Sequence, residues 1–231
     1  MVKYSEYIQE EEIRKSLIID INDFTDAELE NSRLSFARNS KFIISVASNS
    51  GYPSHNKREI AFAGRSNVGK SSLINSITDV TGLARVSNTP GRTQMINFFS
   101  QGDAFFLVDL PGFGYAKASK DAIKKWKNLT YDYLQGRKEL ELVLFLIDSR
   151  HGIKEIDENI MDILDSAAVS YQIIMTKYDK INKSQSQKLI ETTNEKISKR
   201  AAARPGILVS SSKDKYGLDI IRALIYRIIN T

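Results

Sequence analysis

No cysteine occurs among the 231 residues, which excludes disulfides, thiolate metal sites and thiol nucleophiles. The same absence fits a reducing compartment. Two histidines, His55 and His151, are too few for a histidine-based metal centre. No uninterrupted apolar run approaches the ~18 to 20 residues a membrane span requires, and the opening stretch MVKYSEYIQEEEIRK has no apolar centre of the kind a secretory signal carries. The expectation is a cytoplasmic protein without a membrane span. Repeats and low-complexity segments are also missing. What is present, 42% hydrophobic and 26% charged residues, suits a globular chain that buries one core.

The net charge of +5 is unevenly placed. Residues 1–56 hold six Lys/Arg against nine Asp/Glu, whereas residues 57–231 hold 27 against 19, so an acidic leader precedes a basic body. Within that body the stretch 113–138, FGYAKASKDAIKKWKNLTYDYLQGRK, has seven basic residues and two acidic ones. It is the most basic footprint on the chain.

From residue 57 onward, short apolar runs alternate with amphipathic stretches of helical length, the pattern of parallel strands joined by crossover helices. Strands are expected at 59–64, 94–100, 104–110, 141–148, 171–176 and 206–211, and helices at 70–80, 119–136, 155–168, 184–202 and 217–229. Only Gln101-Gly102-Asp103 separates the second strand from the third, which predicts a hairpin and one antiparallel strand. Six strands and five helices follow, in an α/β class with helices on both faces of the sheet. In residues 1–56 the apolar pieces SLIIDI and KFIISVAS flank a short helix with Thr25 and Glu28 spaced as a capping box. This part is expected to be an extension packed on the main domain, with no function assigned to it.

The stretch AGRSNVGKSS, residues 63–72, has the spacing G-x-x-x-x-G-K-S. An apolar strand enters it and an amphipathic helix leaves it, the context in which this motif wraps phosphates. Gly64, Arg65, Ser66, Asn67, Val68 and Gly69 would form the loop, Lys70 would reach the β- and γ-phosphates, and Ser71 would ligate Mg²⁺. Ser72 lies one position too late for that role. Such a site needs a carboxylate at the tip of a neighbouring strand, and FFLVDLPG supplies Asp109, to hold the metal through water, then Leu110, Pro111 and Gly112, whose amide would meet the γ-phosphate.

The base is read at IIMTKYDK. A strand end followed by T-K-x-D puts Lys177 and Asp179, with Tyr178 between them, at the carboxyl edge of the sheet. A carboxylate there accepts from guanine N1–H and N2–H₂ together, whereas adenine would leave it desolvated and unmatched, an error worth up to ~10⁴-fold. The Lys177 stem would lie along the purine face. Thr176 stands where this motif more often carries Asn. After the last strand, Val209, Ser210, Ser211 and Ser212 bring backbone amides towards guanine O6. The nucleotide expected is GTP or GDP, with Mg²⁺.

GRSNVGKS, TPGRTQ, DLPG, TKYD and SSSK, in this order, resemble the EngB (YihA/YsxC) family of bacterial GTPases in the Era-like branch of P-loop G proteins, over residues 57–231. TPGRTQ and DLPGFGYA carry the specificity of the resemblance. The domain at 57–231 is therefore expected to be an EngB-type G domain, three-layered and α/β/α, with 1–56 as an N-terminal extension. Thr89 and Thr93 both offer a hydroxyl to Mg²⁺, and the resemblance points to Thr93, with Gly91, Arg92, Gln94 and Met95 lining the first switch. It also implies K⁺ as a further ion, held by Asn67, because Era-like relatives use an asparagine at this loop position. Phe113 occupies the place of the water-orienting glutamine of many GTPases, so a low intrinsic rate, raised by K⁺ or by a partner, is expected.

The resemblance further implies a switch in assembly of the large (50S) ribosomal subunit, needed for normal cell division and septation. Ribosomal RNA would then meet the lysines of 113–138, Lys117, Lys120, Lys124, Lys125 and Lys127, beside Trp126 and Tyr131. A monomer is favoured. The rival from outside catalysis is a GTP/GDP-gated binding module in division control, separable by turnover with and without ribosomal particles. An ATP-dependent kinase or transporter subunit is opposed by Asp179.

Overall fold

The computed structural model describes residues 17–85, 95–113 and 120–231, with side chains omitted at 120–127. Seven strands form one sheet in the order β1-β3-β4-β2-β5-β6-β7, where β1 is Ser40–Val46, β2 Glu59–Gly64, β3 Ile96–Gln101, β4 Phe105–Asp109, β5 Leu140–Asp148, β6 Tyr171–Thr176 and β7 Ala203–Val209. Strands β4, β2, β5, β6 and β7 run parallel, and β3 is antiparallel to both β1 and β4. All six strands read from the sequence are present. β1 is the one added to them.

Alternation along β2 decides the layers. Ile60 and Phe62 face one side and Ala61 and Ala63 the other, and every residue of the strand is buried, as a central parallel strand requires. On the first side pack α1 (Asp26–Phe36), α2 (Lys70–Thr78) and α6 (Leu218–Asn230), through Phe36, Leu73, Ile77, Ile221 and Leu224. On the second lie α3 (Lys120–Gly136), α4 (Glu155–Ser166) and α5 (Lys183–Ile197), through Tyr133, Met161, Leu164 and Ile190. Each fully buried side chain of the size of Phe62 contributes about 2 to 3 kcal/mol by leaving water. The result is a three-layer α/β/α domain.

Residues before 57 contribute to both layers. β1 exchanges ladder bonds with β3, Ser40 opposite Gln101 and Val46 opposite Ile96, because FIISV is long enough and apolar enough to extend the sheet at its β3 edge. The Thr25–Glu28 capping box forms, with the Thr25 amide donating to Glu28 at 2.8 Å. Helix α1 docks on α6, where Arg227 donates to both oxygens of Glu28 at 2.6 and 2.9 Å and lies 4.1 Å above the Phe24 ring.

One helix is shorter than its pattern suggested. α5 stops at Ile197 rather than 202, because Arg200 is tied to Asp162 and Asp165 at 2.8 and 2.9 Å and the Ala202 amide donates to Asp165. That turns the chain early, and β7 opens at Ala203, with Pro205 tolerated on an edge strand.

Candidate nucleotide site

The parallel strands share one register, so their carboxyl ends meet at a single edge: Phe62 is level with Asp109, and Asp148 with Thr176. The loops after β2, β4, β5, β6 and β7 all leave from there, the edge at which open α/β sheets take ligands. Every described residue expected to contact the nucleotide lies at these strand ends, in the loops that follow them or in the first turn of α2, except Met95, which lies exposed just before β3. Thr93, Gly91, Arg92, Gln94 and Thr89 lie outside the described residues.

Gly64 closes β2 with a φ of +154°, and a Cβ there would stand 2.8 Å from the Leu146 carbonyl oxygen. No side chain fits. Gly69 then caps α2 without any side-chain hydrogen bond, which leaves the first-turn amides of the helix, at Lys70 and Ser71, directed into the loop. The Lys70 side chain is 10% exposed, and its ammonium lies 4.0 Å from Asp109 Oδ1. Burial pushes Lys70 down and Asp109 up, with each charge opposing the shift of the other. Asp109 Oδ1 is buried and makes no hydrogen bond among the described residues, while Asn97, its partner across the β3–β4 ladder, hydrogen-bonds the carboxylate.

A buried cation, an orphaned carboxylate oxygen and a helix amino terminus in one place fit a phosphate chain with a divalent ion. The phosphate would take the ammonium and amides, and the ion would take the Ser71 hydroxyl and, through water, Asp109. Among the described residues no three His, Cys, Asp or Glu side chains cluster as a metal site, so hydroxyl and phosphate oxygens would have to complete such a shell.

The segment after β4 lies directly on this loop. Ser66 donates its amide to Phe113 O at 2.9 Å, Arg65 and Phe113 pair as an isolated bridge, and a Cβ on Gly112 would stand 3.0 Å from Ser66 Cα. A side chain there would have to push Ser66 aside. Leu110 and Phe113 are core residues, and Phe113 stacks on Phe145 with centroids 5.8 Å apart. Phe113 is therefore spoken for by packing, which is the physical reason no water-orienting side chain stands at that position.

At the other end, Thr176 Oγ1 donates to Val68 O at 2.6 Å, with Ile147 O a second acceptor within range at 3.2 Å, so one buried hydroxyl fastens the loop to the end of β6. It can do this work of an amide because the Val68 carbonyl comes close enough for a shorter side chain. Lys177 adopts a left-handed backbone and directs its ammonium to Asn67 O at 2.6 Å and to Asp148 Oδ2 at 2.9 Å. Asn67 is likewise left-handed, its carbonyl held by Lys177 and its residue exposed. Asp148 also receives Arg150 on both oxygens, at 2.9 and 2.7 Å, and these cations hold its carboxyl far below the ordinary range despite burial.

Asp179 sits in a short turn, Tyr178–Lys180, stitched down by the Tyr178 amide donating to Ser210 O at 3.1 Å. Its Oδ1 accepts the Ser211 hydroxyl at 2.9 Å, and its Oδ2 is buried with no hydrogen-bond partner among the described residues, 3.3 Å from the Lys180 ammonium. Burial opposes ionisation, but Ser211 and Lys180 prevail and keep the carboxyl below its ordinary value. An ionised carboxylate with one oxygen oriented by Ser211 and the other met only by the Lys180 ammonium is what a paired N–H donor would meet.

Two readings change here. The Ser211 amide, expected to face the base, donates to Tyr216 O at 3.1 Å instead, and the Ser211 hydroxyl is directed at Asp179. Arg137, counted with the basic stretch 113–138, is no part of a solvated face. It is buried against Glu59, whose side chain is 0% exposed and also accepts Tyr133 Oη at 2.7 Å. Lys117 lies outside the described residues, as do the side chains at 120–127; Tyr131 is exposed. Asp148, absent from the sequence reading, had one signal: an acid ending an apolar strand just before Ser-Arg.

Comparison with known proteins agrees with this geometry. The family described as 50S ribosome-binding GTPase matches residues 59–177. A probable GTP-binding protein EngB of Roseobacter denitrificans is 48% identical over 85% of this chain and 91% of its own length, and one of Allorhizobium ampelinum is 53% identical over 82% and 91%. A crystal structure of a probable GTP-binding protein EngB superposes with a TM-score of 0.57 at 24% identity, covering 74% of this chain and 98% of that one. Era in complex with MgGDPNP and nucleotides of 16S ribosomal RNA gives 0.59 at 23% identity, over 75% and 57%, a likeness of fold alone. The chain belongs to the EngB family of P-loop GTPases.

Proposed function

We propose that the chain is a guanine-nucleotide switch that hydrolyses GTP slowly with Mg²⁺ and acts in assembly of the large ribosomal subunit, with normal cell division depending on it. The observation that carries the nucleotide part is the pairing of two ends across one loop: Lys70 beside the orphaned Asp109 oxygen, and Asp179 held ionised by Ser211, with Thr176 and Lys177 fastening the loop between them. The ribosomal part is supported by the family description and by the basic body of the chain.

In this reading the loop residues 64–69 and the α2 amides hold the phosphates, and Lys70 faces the β- and γ-phosphates. Ser71 and Asp109 would hold the ion, which when bound would offset charge on the phosphate oxygens, and Thr93 would complete the first switch with residues 91–95. Water attacks the γ-phosphorus, the bond to the β,γ-bridging oxygen breaks, and GDP and phosphate result. Since Phe113 is a packing residue, no side chain at that position orients the water, and the intrinsic rate should lie near the ~10⁻⁴ s⁻¹ of unassisted small GTPases. K⁺ near Asn67, or a group from a partner, would raise it. Gly112, pressed on Ser66, is the hinge through which loss of the γ-phosphate would reach residues 113–138.

The functional division stays at residue 57, since every nucleotide motif lies beyond it, and the cytoplasm is the proposed site of action. Among the described residues no helix is long and apolar enough to cross a membrane. The test is co-sedimentation with purified large subunits, loaded with a GTP analogue or with GDP, across a salt series. Nucleotide-dependent, salt-sensitive sedimentation is expected; sedimentation indifferent to both rejects the switch.

A further inference from the structure

Beside the nucleotide loop, the segment between β5 and α4 carries Arg150, His151 and Lys154 between two concave surfaces. One, a cavity of about 240 Å³, is lined by residues 65–68 together with Asp148, Arg150, Lys154 and Lys177. The other, about 470 Å³, lies between this segment and α5. Its rim is Arg150, His151, Lys180, Lys188 and Lys196, no carboxylate lines it, and its floor is Ile153, Ile181 and Leu189. The smaller cavity belongs to the nucleotide loop itself, whereas the larger is lined by none of residues 64–71, Asp109, Lys177 or Asp179 and so stands outside the nucleotide cradle.

The charges on this rim are only partly answered. Lys196 meets Glu158 at 2.6 Å and Lys180 meets Asp179 at 3.3 Å. Arg150 is bound to Asp148, yet its side chain remains 44% exposed, so a second anion can reach it. A cationic rim over an apolar floor complements a strand of alternating phosphates and base faces better than it does a compact anion, which would leave the floor uncovered.

We propose that the groove between residues 149–153 and α5 binds the phosphate backbone of single-stranded RNA, and that Asp148 couples it to the guanine site. This rests on the ribosomal reading above and names a surface for it other than residues 113–138. The coupling follows from shared contacts. Asp148 Oδ2 accepts Arg150 at 2.7 Å and Lys177 at 2.9 Å, and Lys177 holds Asn67 O of the nucleotide loop. A phosphate that draws Arg150 outward leaves Oδ2 to Lys177 alone, which firms the support of the loop and of the purine face. RNA should therefore tighten nucleotide binding, and by linkage nucleotide should tighten RNA by the same factor.

The probes are a labelled 20-nucleotide oligouridylate, polyglutamate of equal charge, and large ribosomal subunits, with a fluorescent GDP analogue for the nucleotide site. Expected for the full chain is salt-dependent oligouridylate binding that strengthens GDP binding about fivefold. The double variant Lys188→Glu with Lys196→Glu should keep its GDP affinity, lose RNA affinity at least about tenfold, and flatten the logarithmic salt slope by about 1.4, two single-strand contacts. Arg150→Ala should abolish the fivefold effect. Unchanged RNA binding by the double variant, while charge reversal at Lys117, Lys120 and Lys124 removes subunit binding, overturns the groove and leaves the ribosomal reading standing. Polyglutamate binding as tightly as RNA, and lost in the same variant, overturns RNA in favour of an acidic protein. If the unmodified chain binds neither RNA nor subunits, the groove and the ribosomal reading fall together.

Discussion

Ser211→Ala tests whether Asp179 is a prepared base reader or only a surface acid. The hydroxyl is 2% exposed and donates to Asp179 Oδ1 at 2.9 Å while accepting the Asp214 amide at 3.1 Å. A hydrogen bond to a charged group contributes about 1.5 to 3 kcal/mol. Water can reach the vacated position in part, so the lower end applies, and guanine nucleotide affinity should fall roughly tenfold. The pH dependence has a definite sign. Ser211 and Lys180 depress the Asp179 carboxyl, so binding that needs the carboxylate is retained above that depressed value and lost as pH falls through it. Removing the hydroxyl raises the value and moves the loss to higher pH. Calorimetric titration with GDP from neutral pH down to below the ordinary aspartate value of 3.8 measures both effects. The same substitution made on top of Asp179→Ala should cost nothing more. A Ser211→Ala protein with GDP affinity within twofold of the parent and an unmoved acid limb would refute the reasoning.

Lys70→Met should remove nucleotide affinity while changing the stability of the nucleotide-free protein little, because relief of the desolvated ammonium is offset by leaving the Asp109 carboxyl without its cation; thermal melts with and without GDP check both halves. Arg137→Met should destabilise by about 3 to 5 kcal/mol in urea unfolding, since it strands the buried Glu59 charge, and adding Glu59→Gln should recover part of that loss. Glu28 is lowered from its ordinary 4.5 to about 2, first by the hydrogen bond from Arg227. A depressed carboxyl stabilises above its unfolded value, so the stability gap between the parent and Arg227→Met should be constant above about pH 5 and close as pH falls towards 2.

The parallel half of the sheet and the nucleotide loop were legible because each depends on local pattern: EIAFAG is apolar throughout, and glycine spacing fixes what can follow it. β1 was not, because FIISV resembles any apolar piece until β3 offers it an edge. The misplaced end of α5 has a similar cause, since AAAR favours a helix and only the distant Asp162 and Asp165 pull Arg200 out of one. At the site, the spacing located Lys177 and Asp179 after the end of β6, where the structure has them. The shift of Ser211 from amide to hydroxyl, and the place of Asp148 between Arg150 and Lys177, depend on contacts between loops far apart in the chain.

Asp179→Asn bears most directly on the claim that one guanosine triphosphate spans the site from Lys70 to residue 179. An amide in place of the carboxylate still accepts from N1–H but confronts the guanine 2-amino group with a donor, while the 2-oxo group of xanthine would accept from it. Competition binding of GTP and xanthosine triphosphate to this variant should show GTP weakened by at least about 100-fold, within the range set by an unmatched buried donor, and xanthosine triphosphate preferred. Undiminished GTP affinity, with no gain for xanthosine triphosphate, would contradict the account.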